Sequence, residues 1–125
     1  MTLDEALGFD LAELGAERAF GRVAIDDRHL QPLGVVHGGV YAALAESLAS
    51  HATAHAVAAD DAIALGMANA TNFLRPVSSG TVEARAERLP GGRTTWVWDV
   101  RFTDEHGRLC AASRITVAVR PREPA

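Results

Sequence analysis

Residues 35–59 read VVHGGVYAALAESLASHATAHAVAA, and no other part of the 125-residue chain resembles them. From Val40 onward the stretch is filled with helix formers, with no proline and no glycine after Gly39. It predicts one long helix of about five or six turns, roughly 30 Å at ~1.5 Å per residue. Alanine recurs on most sides of it, from Ala42 to Ala59. A helix that thin can be wrapped closely by a second layer.

Two features exceed what a structural helix needs. Gly38 and Gly39 sit at its start, where the first N–H groups lack intrahelical partners. They read either as a turn feeding the helix or as a bare backbone that a ligand atom can approach. Glu46 lies mid-helix among Ala43, Leu44, Ala45, Leu48 and Ala49, and Ser50, four residues on, shares its face. Helix-terminal donors hold a developing oxyanion, and a carboxylate attacks or activates water. Gly38 and Glu46 stand eight residues apart, ~12 Å along the axis. One carbonyl can hardly touch both on one helix, so a shared site requires two copies meeting head to tail.

These residues carry a resemblance. The stretch QPLGVVHGGVYAALAES, with TNFLRP and GRLCAASRITVAV further on, is similar to the hotdog-fold acyl-CoA thioesterases that use a helix glutamate. That branch includes 4-hydroxybenzoyl-CoA, phenylacetyl-CoA and 1,4-dihydroxy-2-naphthoyl-CoA thioesterases. The likeness covers roughly residues 6–119, and its flavour is nearest the last group.

Composition agrees with such a protein. A chain of 125 residues has room for one core, so residues 1–125 are expected to form a single domain. At 48% hydrophobic and 22% charged it reads as an ordinary soluble globular protein. No charge-free apolar run of membrane-spanning length occurs, and no basic-then-apolar leader opens the chain. A cytoplasmic location is therefore the default. A net charge of −4 without a basic cluster argues against nucleic-acid binding. All twelve basic residues are arginine, which suits bidentate contact with phosphate but also follows from codon bias. The single Cys110 excludes an internal disulfide and reads as a packed thiol. His51 and His55 are four apart, but no Glu follows the first and no third ligand is evident, so no metal is expected. Nucleophile-elbow, Walker and dinucleotide glycine patterns are absent, so no cofactor is expected either.

The remaining chain reads mostly as strand. A helical turn over residues 3–7, started by Thr2 or Asp4, stops at Gly8; residues 10–17 are mixed, with a turn at Gly15. Strands are expected over residues 18–25, 63–74, 81–89, 94–102 and 109–119. In the second of these, Ala64, Gly66, Ala68 and Ala70 line one face with small side chains, while Asn69, Thr71 and Asn72 are edge polarity or part of a site. Turns fall at Pro90-Gly91-Gly92 and Glu105-His106-Gly107. Trp96 and Trp98 share the inward face of their strand and should pack on the helix. Residues 120–125 read as a loose tail. One long helix with about five antiparallel strands is α+β, and the resemblance implies a hotdog sheet curled around that helix.

The resemblance also assigns roles. It implies that the Gly38 N–H and the Gln31 amide polarise the thioester carbonyl, and that Glu46 of the partner chain attacks it or activates water. His37 would position the loop or Gln31, or simply cap the helix, and Ser50 would hold the hydrolytic water. Arg75 and the Thr94–Thr95 pair, helped by Arg93 or a C-terminal Arg, would meet the CoA phosphates. It implies a homodimer, commonly a homotetramer. The substrate would be an aromatic acyl-CoA, such as 1,4-dihydroxy-2-naphthoyl-CoA of menaquinone biosynthesis or 4-hydroxybenzoyl-CoA. Medium-chain acyl-CoA hydrolysis, a hotdog dehydratase and a non-catalytic acyl-CoA-binding module stand as alternatives.

Overall fold

The computed structural model describes residues 1–123. Its elements are α1 (Leu3–Leu7), β1 (Asp10–Leu14), β2 (Arg18–Ala24), a 3-10 turn (Asp27–His29), α2 (Gly38–Val57), a second 3-10 turn (Ala58–Asp60), β3 (Ala62–Phe73), β4 (Thr81–Arg88), β5 (Thr95–Thr103) and β6 (Leu109–Pro121). The strands form one antiparallel sheet in the order β1-β2-β4-β5-β6-β3, curled so that every strand touches α2. The α+β hotdog arrangement expected from the sequence is therefore the observed one. No helix among the described residues is long and apolar enough to cross a membrane.

Small side chains let the sheet close. Leu44, Ala45, Leu48, Ala49 and Ala52 of α2 are fully buried against Trp98, Phe102, Ile115 and Val117 of the strands. Each large aliphatic in this core contributes about 1.5–3 kcal/mol of burial. One polar contact crosses the same layer. The Trp98 indole N–H donates to Thr53 Oγ1 at 2.9 Å, and that hydroxyl donates to the Ala49 carbonyl at 2.8 Å. The tryptophan pair thus packs on the helix, as its pattern implied. At the N-terminal end, Thr2 and Glu5 cap α1 reciprocally and Gly8 (φ +69°) ends it. Ser47 donates to Asp4 Oδ1 at 2.5 Å, pinning α1 to α2.

Three expectations need correction. The sheet has a sixth strand, β1, short and shifted in register between Asp10 and Glu13, so it never builds a readable alternation. Residues 120–122 are not part of a loose tail. Pro121 pairs with Ala62, and the Arg122 N–H donates to the Asp61 carbonyl; residues 124 and 125 lie outside the described residues. Finally, the small residues of β3 do not share one face. A bulge between Gly66 and Ala68 inserts Met67 and reverses the phase. Gly66, Asn69, Thr71 and Phe73 pair with Val117, Ile115, Ser113 and Ala111 of the buried face, while Ala68 and Ala70 pair with the outward Thr116 and Arg114.

Thr53→Val keeps shape but leaves the buried indole N–H without an acceptor. We expect a loss of about 1–3 kcal/mol in urea-unfolding free energy, with Thr53→Ser close to the parent.

Candidate active site

The site builds from the first turn of α2. His37 is its N-cap, and its Nδ1 accepts the Gly39 N–H at 2.8 Å, which places the neutral ring's proton on Nε2. The Val40 N–H goes to the His37 carbonyl. The Gly38 N–H makes no hydrogen bond among the described residues. Capping by His37 therefore leaves Gly38 as the open donor at a long helix N-terminus, where the macrodipole adds its partial positive charge.

Gln31 lies in the preceding loop. Its backbone pairs with Val35 and Gly34, and its Oε1 accepts the Leu33 N–H. With the oxygen engaged, the amide presents Nε2 as its remaining donor. No hydrogen bond joins His37 to the Gln31 side chain among the described residues, so its visible work is helix capping.

Sequence reasoning missed Phe73. Its ring covers the Cα of Gly38 so closely that a β-carbon there would collide with it. The ring is 60% exposed and lies 6.2 Å from Tyr41, which packs edge-on against Phe102 at 5.3 Å. Only the bulge phase turns Phe73 inward, and that shift is invisible to a period-two reading. Burial raises the pKa of both the Tyr41 phenol and the nearby Cys110 thiol, so both stay protonated and neutral at pH 7.

Glu46 and Ser50 lie side by side two turns further on. A β-carbon built on Gly66 would sit 3.6 Å from Glu46 Cγ and 3.7 Å from Ser50 Oγ. The Glu46 side chain thus lies along β3 at its one glycine, and no hydrogen bond or ion pair engages its carboxylate among the described residues. One turn back, Asn69 Nδ2 donates to the Ala42 carbonyl at 2.9 Å. Gly66, Asn69 and Phe73 of β3 therefore meet α2 in order, from Glu46 back through Ala42 to Gly38.

The proposed nucleotide-binding residues are not brought together within one chain. Arg75 follows β3, where its N–H and that of Leu74 bond the Cys110 carbonyl. Thr94 lies at the opposite end of β6, its carbonyl accepting from Val119, with Arg93 and Thr95 beside it. Nine residues of strand, roughly 30 Å at ~3.3 Å each, separate the two groups. His51 faces Asp4 at 3.5 Å, and among the described residues no three His, Cys, Asp or Glu side chains converge as metal ligands.

An open amide at a glycine helix terminus, a glutamine donor and an unpaired glutamate on a wrapped helix are the groups that an acyl-transfer site would need. The thioesterase superfamily profile matches residues 33–111, and the chain belongs to that family. Among its relatives, 1,4-dihydroxy-2-naphthoyl-CoA hydrolase of Listeria monocytogenes is 34% identical over 122 residues, covering 98% of each chain. The proofreading thioesterase EntH of Cronobacter turicensis is 36% identical over 118 residues, 94% of this chain and 85% of the relative. The crystal structure of thioesterase HI1161 from Haemophilus influenzae superposes with a TM-score of 0.90 at 34% identity, over 98% of this chain and 85% of that one. The protein is a thioester hydrolase.

Gly38→Ala drives a β-carbon into the Phe73 ring, so we expect a stability loss of about 1–3 kcal/mol and a turnover loss of roughly tenfold or more. Adding Phe73→Ala should recover most of the stability in a double-mutant cycle. Additive losses would show that the two residues do not meet.

Proposed function

We propose that the protein hydrolyses an acyl-CoA thioester, with an aromatic acyl group, in a site completed by a second copy of the chain. The observation that carries this reading is the rigid spacing of Gly38 and Glu46, eight residues and ~12 Å of helix rise apart, with both against β3. β3 ends the sheet, so its outer edge has no partner in the chain, and Leu65 and Met67 stand 54% and 61% exposed along it. An open apolar edge is a template for strand pairing.

Register supports the pairing. Gly66 marks the level of Glu46, and Phe73 marks the level of Gly38. Antiparallel pairing of β3 with its copy, Gly66 opposite the partner's Phe73, puts the two-fold axis between Asn69 and Ala70. The midpoint of Gly38 and Glu46 on α2 is Ala42, which Asn69 already touches. Both midpoints fall together, so one axis brings each Gly38 to the partner's Glu46. The same axis carries the partner's Arg93, Thr94 and Thr95 toward Arg75. A tetramer of two such pairs is the assembly the resemblance implies; light scattering reads it directly.

In this arrangement the thioester oxygen accepts from the Gly38 N–H and Gln31 Nε2. A Glu46 carboxylate oxygen adds to the carbonyl carbon, the CoA thiolate leaves, and water beside Ser50 hydrolyses the resulting anhydride. Alternatively Glu46 removes a proton from water, whose oxygen attacks, and the thiolate takes that proton. Both routes end in free acid and CoA thiol. The aromatic acyl group is supported by the Listeria relative, a 1,4-dihydroxy-2-naphthoyl-CoA hydrolase, and by the Phe73 ring beside Gly38.

Thiol release from a panel of 1,4-dihydroxy-2-naphthoyl, 4-hydroxybenzoyl, phenylacetyl and hexanoyl CoA thioesters tests the proposal. We expect the aryl substrates to lead. A leading hexanoyl thioester would move the assignment to medium-chain acyl-CoA, and an altered acyl group without thiol release would indicate a dehydratase. Glu46→Ala should lower turnover by more than the roughly hundredfold typical of losing one oxyanion donor. Arg75→Ala should raise KM roughly tenfold for whole CoA thioesters, as loss of a charge-assisted hydrogen bond does, and far less for truncated thioesters. Equal effects on both would remove Arg75 from phosphate contact.

A further inference from the structure

A directed chain of hydrogen bonds reaches the middle of the catalytic helix from the sheet. Thr71 Oγ1 donates to Asn69 Oδ1 at 2.7 Å, and Thr71 Oγ1 and Ser113 Oγ lie 2.8 Å apart. A hydroxyl has one proton, and Thr71 gives its own to Asn69, so Ser113 must be the donor to Thr71. That ordering fixes the Asn69 amide, with its oxygen toward Thr71 and Nδ2 toward the Ala42 carbonyl at 2.9 Å. A flipped amide would set oxygen against carbonyl oxygen. The relay therefore runs one way, from Ser113 on β6 through Thr71 and Asn69 on β3 to α2.

Its end point is significant. In an α-helix the carbonyl of residue 42 accepts the N–H of residue 46, so the peptide that Asn69 grips is the one bonded to Glu46. Core packing does not require this tie. Leu44, Leu48 and the Thr53–Trp98 bond already seat α2 on the sheet. We propose that Asn69, oriented by Thr71 and Ser113, is a positioning residue that fixes the helical turn presenting Glu46 to the thioester carbonyl. The proposal rests on the shared-site reading given above. Because Ala42 is midway between Gly38 and Glu46, one Asn69 per chain steadies a turn that serves the partner's site.

The test uses the full-length protein with Asn69→Ala, Asn69→Asp, Thr71→Val and Thr71→Ser. Asparagine-to-alanine removes the donor, and aspartate, nearly isosteric, cannot donate to the Ala42 carbonyl. Misplacing a reacting group by about an ångström costs up to ~100-fold, so kcat should fall about tenfold to a hundredfold in both. KM should stay within about twofold, because ground-state binding is untouched. Thr71→Val should lose several-fold, and Thr71→Ser, which keeps the hydroxyl, should restore kcat.

Unchanged kcat in Asn69→Ala overturns the proposal. So does a fall in kcat matched by dissociation of the dimer on size exclusion, since Asn69 would then act through assembly. Glu46→Ala measured in parallel separates the two readings. Near-normal turnover there removes the shared site itself, whereas an inactive Glu46→Ala beside a normal Asn69→Ala removes only the relay.

Discussion

A helix is a rigid ruler, and α2 sets the open amide of Gly38 and the carboxylate of Glu46 at fixed positions along it. No side-chain rotamer closes a gap of ~12 Å between two groups on the same rod. The rest of the fold answers that constraint. Alanines thin the helix so that the sheet can curl around it, and Thr53 holds it to Trp98 at the far end. The curl leaves β3 with an unpaired edge, and both proposed reactive positions pack against that strand. Under the proposed pairing, what one chain separates, two chains join.

The proposed oxyanion site at the donor end would require little machinery. His37 takes the Gly39 N–H and leaves the Gly38 N–H, so a capping residue selects which amide stays available. Gln31 folds its oxygen onto its own loop and is left with Nε2 to offer. Phe73 fills the space that a Gly38 side chain would occupy, which makes the glycine necessary for a steric reason. These are local hydrogen-bond and volume requirements, and each involves a residue within a few positions of a turn or a strand end.

Much of this was legible before the structure. The alanine-rich run gave α2, the alternation in β4, β5 and β6 gave their inward faces, and Gly8, Gly15 and Gly107 marked turns where they occur. What escaped reading did so for physical reasons. β1 is too short and irregular to show a period. One inserted residue at Met67 moved Asn69, Thr71 and Phe73 to the helix side, and no alternation rule anticipates a bulge. Glu46 and Ser50 were readable as neighbours because four residues is one helical turn. Their neighbour Gly66 was not, since only tertiary packing brings it there.

Subunit complementation probes the shared site most directly. One chain carries Glu46→Ala. The other carries Gly38→Pro, which removes the N–H at a position where helices accept proline, with Phe73→Ala to make room for the ring. Each homodimer should be nearly inactive, and a refolded equimolar mixture should recover roughly a quarter of parental turnover, from one intact site in half the dimers. A mixture no more active than its two components would contradict the sharing of Gly38 and Glu46 between chains.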